Sequence, residues 1–246
     1  MAVPSPQSNM NVDEILSRYT AGERHFHQVN LQEQDLINTH LQGIDFSQAD
    51  LRQTRLGKTD FSQAIFRDAD LSEAILWGAD LSEADLYHAV LREADLSGAK
   101  LIRACLSQAN LSKASLSGAN LTEASLLHTI LFEVDFRPSA DQQTNLGYAI
   151  LSNADLSYAK LNATLLHHAN LEGAKLCRAN LSKQGQWGDV ATDLSYSNLR
   201  GADLSYADFS GAILKNADLS GADLTKTIFT DADLTGAIMP DGKVHN

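Results

Sequence analysis

From Phe26 to Leu181 every fifth residue is large and apolar: of 32 such positions 31 hold Leu or Phe, and the exception is Asp141. A second tract from Leu194 to Met239 has ten positions, nine of them Leu or Phe. The thirteen residues from Leu181 to Leu194 are not a multiple of five, so the phase breaks once. A period of five fits neither regular element. On a helix it advances about 500° and spirals around all sides, and on a flat strand it sends successive leucines to opposite faces. Repetition on this scale decides the architecture before any local motif does.

Two residues before each Leu stands a small residue, as at Ala74, Ala79, Ala84, Ala89 and Ala94. Residues two apart in an extended piece point the same way. A three-residue segment can therefore send Ala and Leu inward and the residue between them, usually Asp or Asn, outward. The remaining two positions hold Ser, Glu, Gly, Thr, Arg or Lys, which suits a solvated corner. If every corner turns in the same sense, the chain coils into a prism with Leu and Ala inside.

The units "ADLSE", "ADLSG" and "ANLSK" resemble the A(D/N)LXX signature of pentapeptide-repeat proteins, over roughly residues 26 to 239. The resemblance implies an all-β solenoid, a right-handed quadrilateral β-helix with four units per coil and a short N-terminal capping helix. About ten coils at ~4.8 Å each make a rod about 50 Å long. The segments "NVDEILSRYTAGERHF", "LSEAILWGADLSEADLY" and "GAIMPDGKVHN" are similar to members of the family that regulate heterocyst differentiation in filamentous cyanobacteria. That similarity implies a non-enzymatic regulator that binds the heterocyst master transcription regulator and counters its inhibitory peptide, with no cofactor.

Residues 1–10 read as a disordered extension. Residues 11–25 read as a helical cap, since Val12, Ile15, Leu16 and Tyr19 follow helical spacing and Gly22 can end the helix. The repeats follow over 26–181, a loop interrupts them over 182–193, the same domain continues over 194–239, and 240–246 form a frayed tail. The longest apolar run is too short for a membrane span and no signal-peptide core is visible, so a cytoplasmic monomer is expected. Cys105 and Cys177 lie more than three coils apart, too far for a disulfide.

The net charge of −12 suits a basic partner and disfavours direct contact with nucleic acid. Sixteen of the 31 acidic residues, however, are Asp in the slot just before Leu, from Asp35 to Asp233, where they bond local backbone N–H groups. About half of the acidity is therefore architectural. Other motifs are by-products of the repeat. "DADLTG" at Asp231 to Gly236 lacks the bidentate Glu of an EF-hand, and the sequons at Asn110, Asn120 and Asn180 lie in a chain with no export signal. The adjacent His167 and His168 do not supply the three or four ligands of a metal site. A convex rod offers no concave site for a nucleophile and base. No catalytic or metal-binding residue is assigned.

If residues twenty apart stack, the outward slots after Phe26, Phe46 and Phe66 place Tyr87, His88, Leu127, His128, Tyr148, His167 and His168 on one face, the first candidate for partner binding. An adjacent face carries Glu33, Asp50, Arg52, Asp70, Glu73, Arg92, Glu93 and Glu133, either a solvated mixed-charge surface or a footprint for a basic partner. In "SKQGQWGDVAT", Trp187 either anchors an interface or folds back over the discontinuity. "RPSADQQTN", Arg137 to Asn145, bulges one coil while keeping the phase, with Pro138 shaping the bend. The family also includes acidic rods that mimic DNA and bind a DNA-binding protein such as gyrase. Against that reading, this chain interleaves its acids with Arg and Lys and ends without a long apolar dimerisation segment.

Overall fold

The structure is a computed structural model and describes residues 10–183 and 190–246. The single helix, α1, spans Val12–Thr20. The Asn11 side chain accepts a hydrogen bond from the Glu14 N–H at 2.8 Å, which satisfies one of the free donors of the first turn. Asp13 and Glu14 sit at its positive end and Arg18 at its negative end, as the helix dipole favours. Gly22, at φ +100°, closes it: its N–H donates to Tyr19 O and that of Glu23 to Arg18 O, the paired bonds of a Schellman ending. Ile15 is wholly buried against the first coil, with Met10, Val12, Leu16 and Tyr19 packed around it. α1 thus seals the apolar end of the rod.

From His25 onward the chain is a ladder of single-residue parallel bridges, His25 to Asp45, Asn30 to Asp50, Asp35 to Arg55 and so on, each spanning twenty residues. Four pentapeptides therefore make one coil. Within each unit the Ala N–H returns to the preceding Leu carbonyl, as from Ala49 to Phe46 at 3.0 Å, and closes a turn. The Leu N–H crosses to the next coil, as from Leu51 to Asp70 at 2.7 Å. The Leu, Phe and Ala columns are buried along the axis, and Phe26, Phe46 and Phe66 succeed one another with centroids 6.1 and 6.0 Å apart. Where Thr replaces Ala its buried hydroxyl finds a carbonyl: Thr129 bonds Leu106 O at 2.8 Å and Thr192 bonds Leu161 O at 2.9 Å.

Two coils are longer. The bridge from Asn120 reaches Asn145, 25 residues on, and the bridge from Leu165 reaches Asp193, 28 residues on. Thr144 takes the Ala slot next after Phe136, its hydroxyl accepting from Gly118 N–H at 2.7 Å, so Pro138 to Gln142 form an extra unit outside the wall. Asp141 is consequently not a misplaced core residue. Both insertions leave the rod at the same corner, that of Gly118 and Gly211, as the bonds from Gly118 N–H to Arg137 O and from Lys183 N–H to Ser210 O place it. The first folds back along the corner, where Gln142 bonds Gly118 O. A Cβ on Gly118, whose φ is +68°, would lie 2.5 Å from Ser139 Oγ, so only glycine fits beneath it.

The C-terminal end differs from the frayed tail expected. Ile238 pairs antiparallel with Val244, and Gly236 N–H and His245 N–H bond His245 O and Ala237 O at 2.8 and 2.7 Å. Even so, Leu224, Phe229 and Leu234 in the last coil stay only partly buried. No helix among the described residues is long and apolar enough to cross a membrane.

Candidate functional site

The corner geometry generates the surface. In each unit the Asp or Asn before Leu turns its side chain to the residue after Leu: Asp60 Oδ1 accepts from Ser62 N–H at 2.9 Å and its hydroxyl at 2.6 Å, and Asn110 does the same for Ser112 at 3.0 and 2.7 Å. The next residue is left-handed, with φ of +56° at His128, +60° at Tyr148, +57° at His168 and +60° at Tyr196. Such a conformation costs a non-glycine residue about 1–2 kcal/mol, and it persists because the ladder on either side over-determines it. One consequence is that corner side chains project outward in columns repeating at one coil, ~4.8 Å, the spacing at which aromatic rings stack.

One column uses this spacing. Tyr148 and His168 lie 4.8 Å apart and 4° from parallel, and His168 and Tyr196 5.0 Å and 6°. His167 meets Tyr148 edge-on at 5.6 Å. The stack is solvent-facing, with Tyr148 53% and Tyr196 56% exposed. Beside it, on the flat side between corners, Ile150 is exposed as well.

The expectation of one face for seven residues needs correction. Tyr87, His88, Leu127 and His128 do share a corner column, but the 25-residue coil carries that column from His128 to Asn153, through the bond from His128 N–H to Ser152 O. Tyr148 stacks instead above Glu123, whose N–H bonds Gly147 O. Tyr148, His167 and His168 therefore occupy the neighbouring corner, and the two groups flank one flat side of the rod. Counting in twenties fails because the inserted unit keeps the five-residue phase while adding a quarter coil. Tyr87 and His88 stack on each other at 5.3 Å, and His88 Nδ1 lies 3.1 Å from Asp68 Oδ1.

The second candidate face lies wholly before the insertions, and there the twenty-residue rule holds. Arg52 pairs with Asp50 at 2.6 Å and approaches Asp70 at 3.9 Å; Gln53 donates to Glu73 at 2.9 Å; Arg92 meets Glu93 at 3.9 Å. The Arg52 bond holds the Asp50 carboxyl below its usual range against the opposing effect of burial. Glu33 and Glu133 stand in the same column. The face is a lattice of largely internal pairs. Trp187 lies outside the described residues.

Sequence reasoning missed Tyr196, which completes the stack, and a third column in which Arg178 lies between Tyr158 and Tyr206, 6.0 and 4.8 Å from their rings, with Lys226 5.1 Å beyond Tyr206. The missing signal was the coil length: Tyr196 and Tyr206 follow His168 and Arg178 by 28 residues. Among the described residues, His25, His27 and Asp45 are the one group of three or more His, Cys, Asp or Glu whose ligand atoms converge, all within 4.8 Å. His167 and His168 have rings 6.1 Å apart and nearly perpendicular.

Comparison with known proteins agrees with this geometry. The family of pentapeptide repeats matches residues 25–63, 64–101, 99–137, 142–173, 191–221 and 202–239. The crystal structure of HetL, a pentapeptide repeat protein involved in heterocyst differentiation regulation from the cyanobacterium Nostoc sp. strain PCC 7120, is 62% identical over 96% of this chain and 100% of its own, with a TM-score of 0.95. QnrB1, a plasmid-mediated fluoroquinolone resistance protein, is 18% identical over 85% of this chain and 90% of its own, with a TM-score of 0.35. A search of curated protein sequences found no match.

Proposed function

Because the chain belongs to the pentapeptide-repeat family, we propose that it is a non-enzymatic regulator of heterocyst differentiation. It acts by docking on the master differentiation regulator and countering that regulator's inhibitory peptide. The likeness to HetL over nearly the whole of both chains carries the biological assignment. The stacked column of Tyr148, His168 and Tyr196 carries the mode of action. Rings held rigid by a ladder lose little conformational freedom on binding, so their apolar area is available to a partner at low entropic cost. The reading of an acidic DNA mimic is disfavoured by the pairing of its carboxylates with cations one coil away. Asp35 meets Arg55 at 2.9 Å, Asp80 meets Lys100 at 3.4 Å and Asp233 meets Lys215 at 3.1 Å.

Calorimetric titration of the purified chain into the master regulator, with and without the inhibitory peptide, tests the proposal. Saturable binding that the peptide alters is expected. No heat at tens of micromolar of both proteins would overturn it, and inhibition of gyrase supercoiling would replace it with the mimic.

A further inference from the structure

His25 and His27 flank the inward Phe26, so the alternation of an extended segment places both rings on the outer surface, stacked with centroids 5.5 Å apart. Asp45 is the bridge partner of His25 in the next coil, fixed by the bonds from Phe26 N–H to Asp45 O and from Asp45 N–H to Arg24 O, at 2.8 and 2.7 Å. Its carboxylate is only 7% exposed as a residue and lies beneath the two rings. Oδ2 stands 3.6 Å from His25 Nδ1 and Oδ1 3.4 Å from His27 Nδ1. These separations are long for charge-assisted hydrogen bonds. They match the edge of a tetrahedron of ligands around zinc, about 3.4 Å for metal–ligand bonds of ~2.1 Å. Ser47 holds the carboxylate from behind, its N–H at 3.0 Å and hydroxyl at 2.6 Å from Oδ1, the kind of support that orients a metal-binding carboxylate.

We propose that His25, His27 and Asp45 form a site for one divalent transition-metal ion of the zinc class on the first coil. Two imidazoles and one carboxylate select zinc and its neighbours over calcium or magnesium, which prefer all-oxygen shells. Three protein ligands leave a coordination position for water or for a side chain of a docked protein.

The test is calorimetric titration of the full, untagged chain with Zn²⁺, together with thermal melts with and without Zn²⁺. One Zn²⁺ per chain and a raised Tm are expected. The variant Asp45→Asn should bind at least about tenfold more weakly, and the double variant His25→Ser with His27→Ser should lose the site. All three substitutions are residues the same columns already hold, at Asn170, Ser125 and Ser47, so the fold is retained. His128→Ala should bind like the parent. Absence of saturable binding in the parent, or equal binding and equal Tm shifts in the double variant, would overturn the site.

Discussion

Truncating one axial leucine measures how this rod is held together. Leu96 is fully buried at mid-rod, with its N–H bonded to Ser115 O at 2.8 Å and the coil beneath bonded to its own through Leu76 N–H and Asp95 O at 2.7 Å. Coils on both sides are pinned by such bonds, so the wall cannot collapse into the space three missing carbons leave. Leu96→Ala should therefore fall in the upper half of the large-to-small range, about 3–4 kcal/mol. Leu234 has the same chemistry in the last coil, where one neighbouring coil and the turn around Ile238 and Val244 cover it only in part. Its burial is incomplete and water can fill the gap, so Leu234→Ala should cost about 1 kcal/mol. The difference of about 2–3 kcal/mol is a factor of roughly 30–150 in the opening constant. Urea unfolding followed by circular dichroism, with native-state hydrogen exchange reporting which coils open, reads both values. Equal costs at the two sites, or a cost below 1 kcal/mol at Leu96, would refute the picture of a rod sealed by α1 and open at its other end.

Three further outcomes are expected. Tyr148→Ala with Tyr196→Ala should leave the far-ultraviolet spectrum unchanged and weaken capture of the master regulator at least tenfold, while His128→Ala, one corner away, should leave capture intact; the reverse order would move the interface to the Tyr87 and His88 edge. Acid should destabilise the rod in a defined window. The Asp135 carboxyl is pushed up by burial but more strongly held down by Arg137 and its backbone N–H, and Asp50 is held down by Arg52. Their folded pKa values lie below the unfolded value near 3.8, so their contribution is complete above about pH 4 and is lost as pH falls through the folded values; stability in urea that stayed level from pH 5 to pH 2 would contradict this. Excising residues 138–142 joins Arg137 to Gln143 and yields an ordinary unit, so the fold and the Tyr148 stack should survive with a Tm change of only a few degrees.

How much of this was legible depends on which periodicity carries the information. The inward columns need only the five-residue phase, and Leu71 to Leu96 declare it outright. Likewise α1 was readable, because Ile15 and its neighbours keep helical spacing and Gly22 supplies the left-handed residue its ending requires. The surface columns need a second number, the residues per coil, which the phase does not encode. The two insertions show why. The one before Asp193 breaks the phase and announces itself, and only its effect on stacking, 28 residues instead of twenty, is hidden. The one after Arg137 adds five residues, leaves the phase intact and moves every later residue by one corner, so Tyr148 stands over Glu123 and not over His128. An Asp in a leucine slot was the one trace of it: a buried carboxylate on an apolar axis is costly enough that Asp141 is better explained by a unit outside the wall than by a defect within it. Recounting from that residue in coils of 25 and then 28 would have aligned Tyr148, His168 and Tyr196. In a solenoid whose function lies in its corner columns, an exception in the core pattern is thus a statement about the surface.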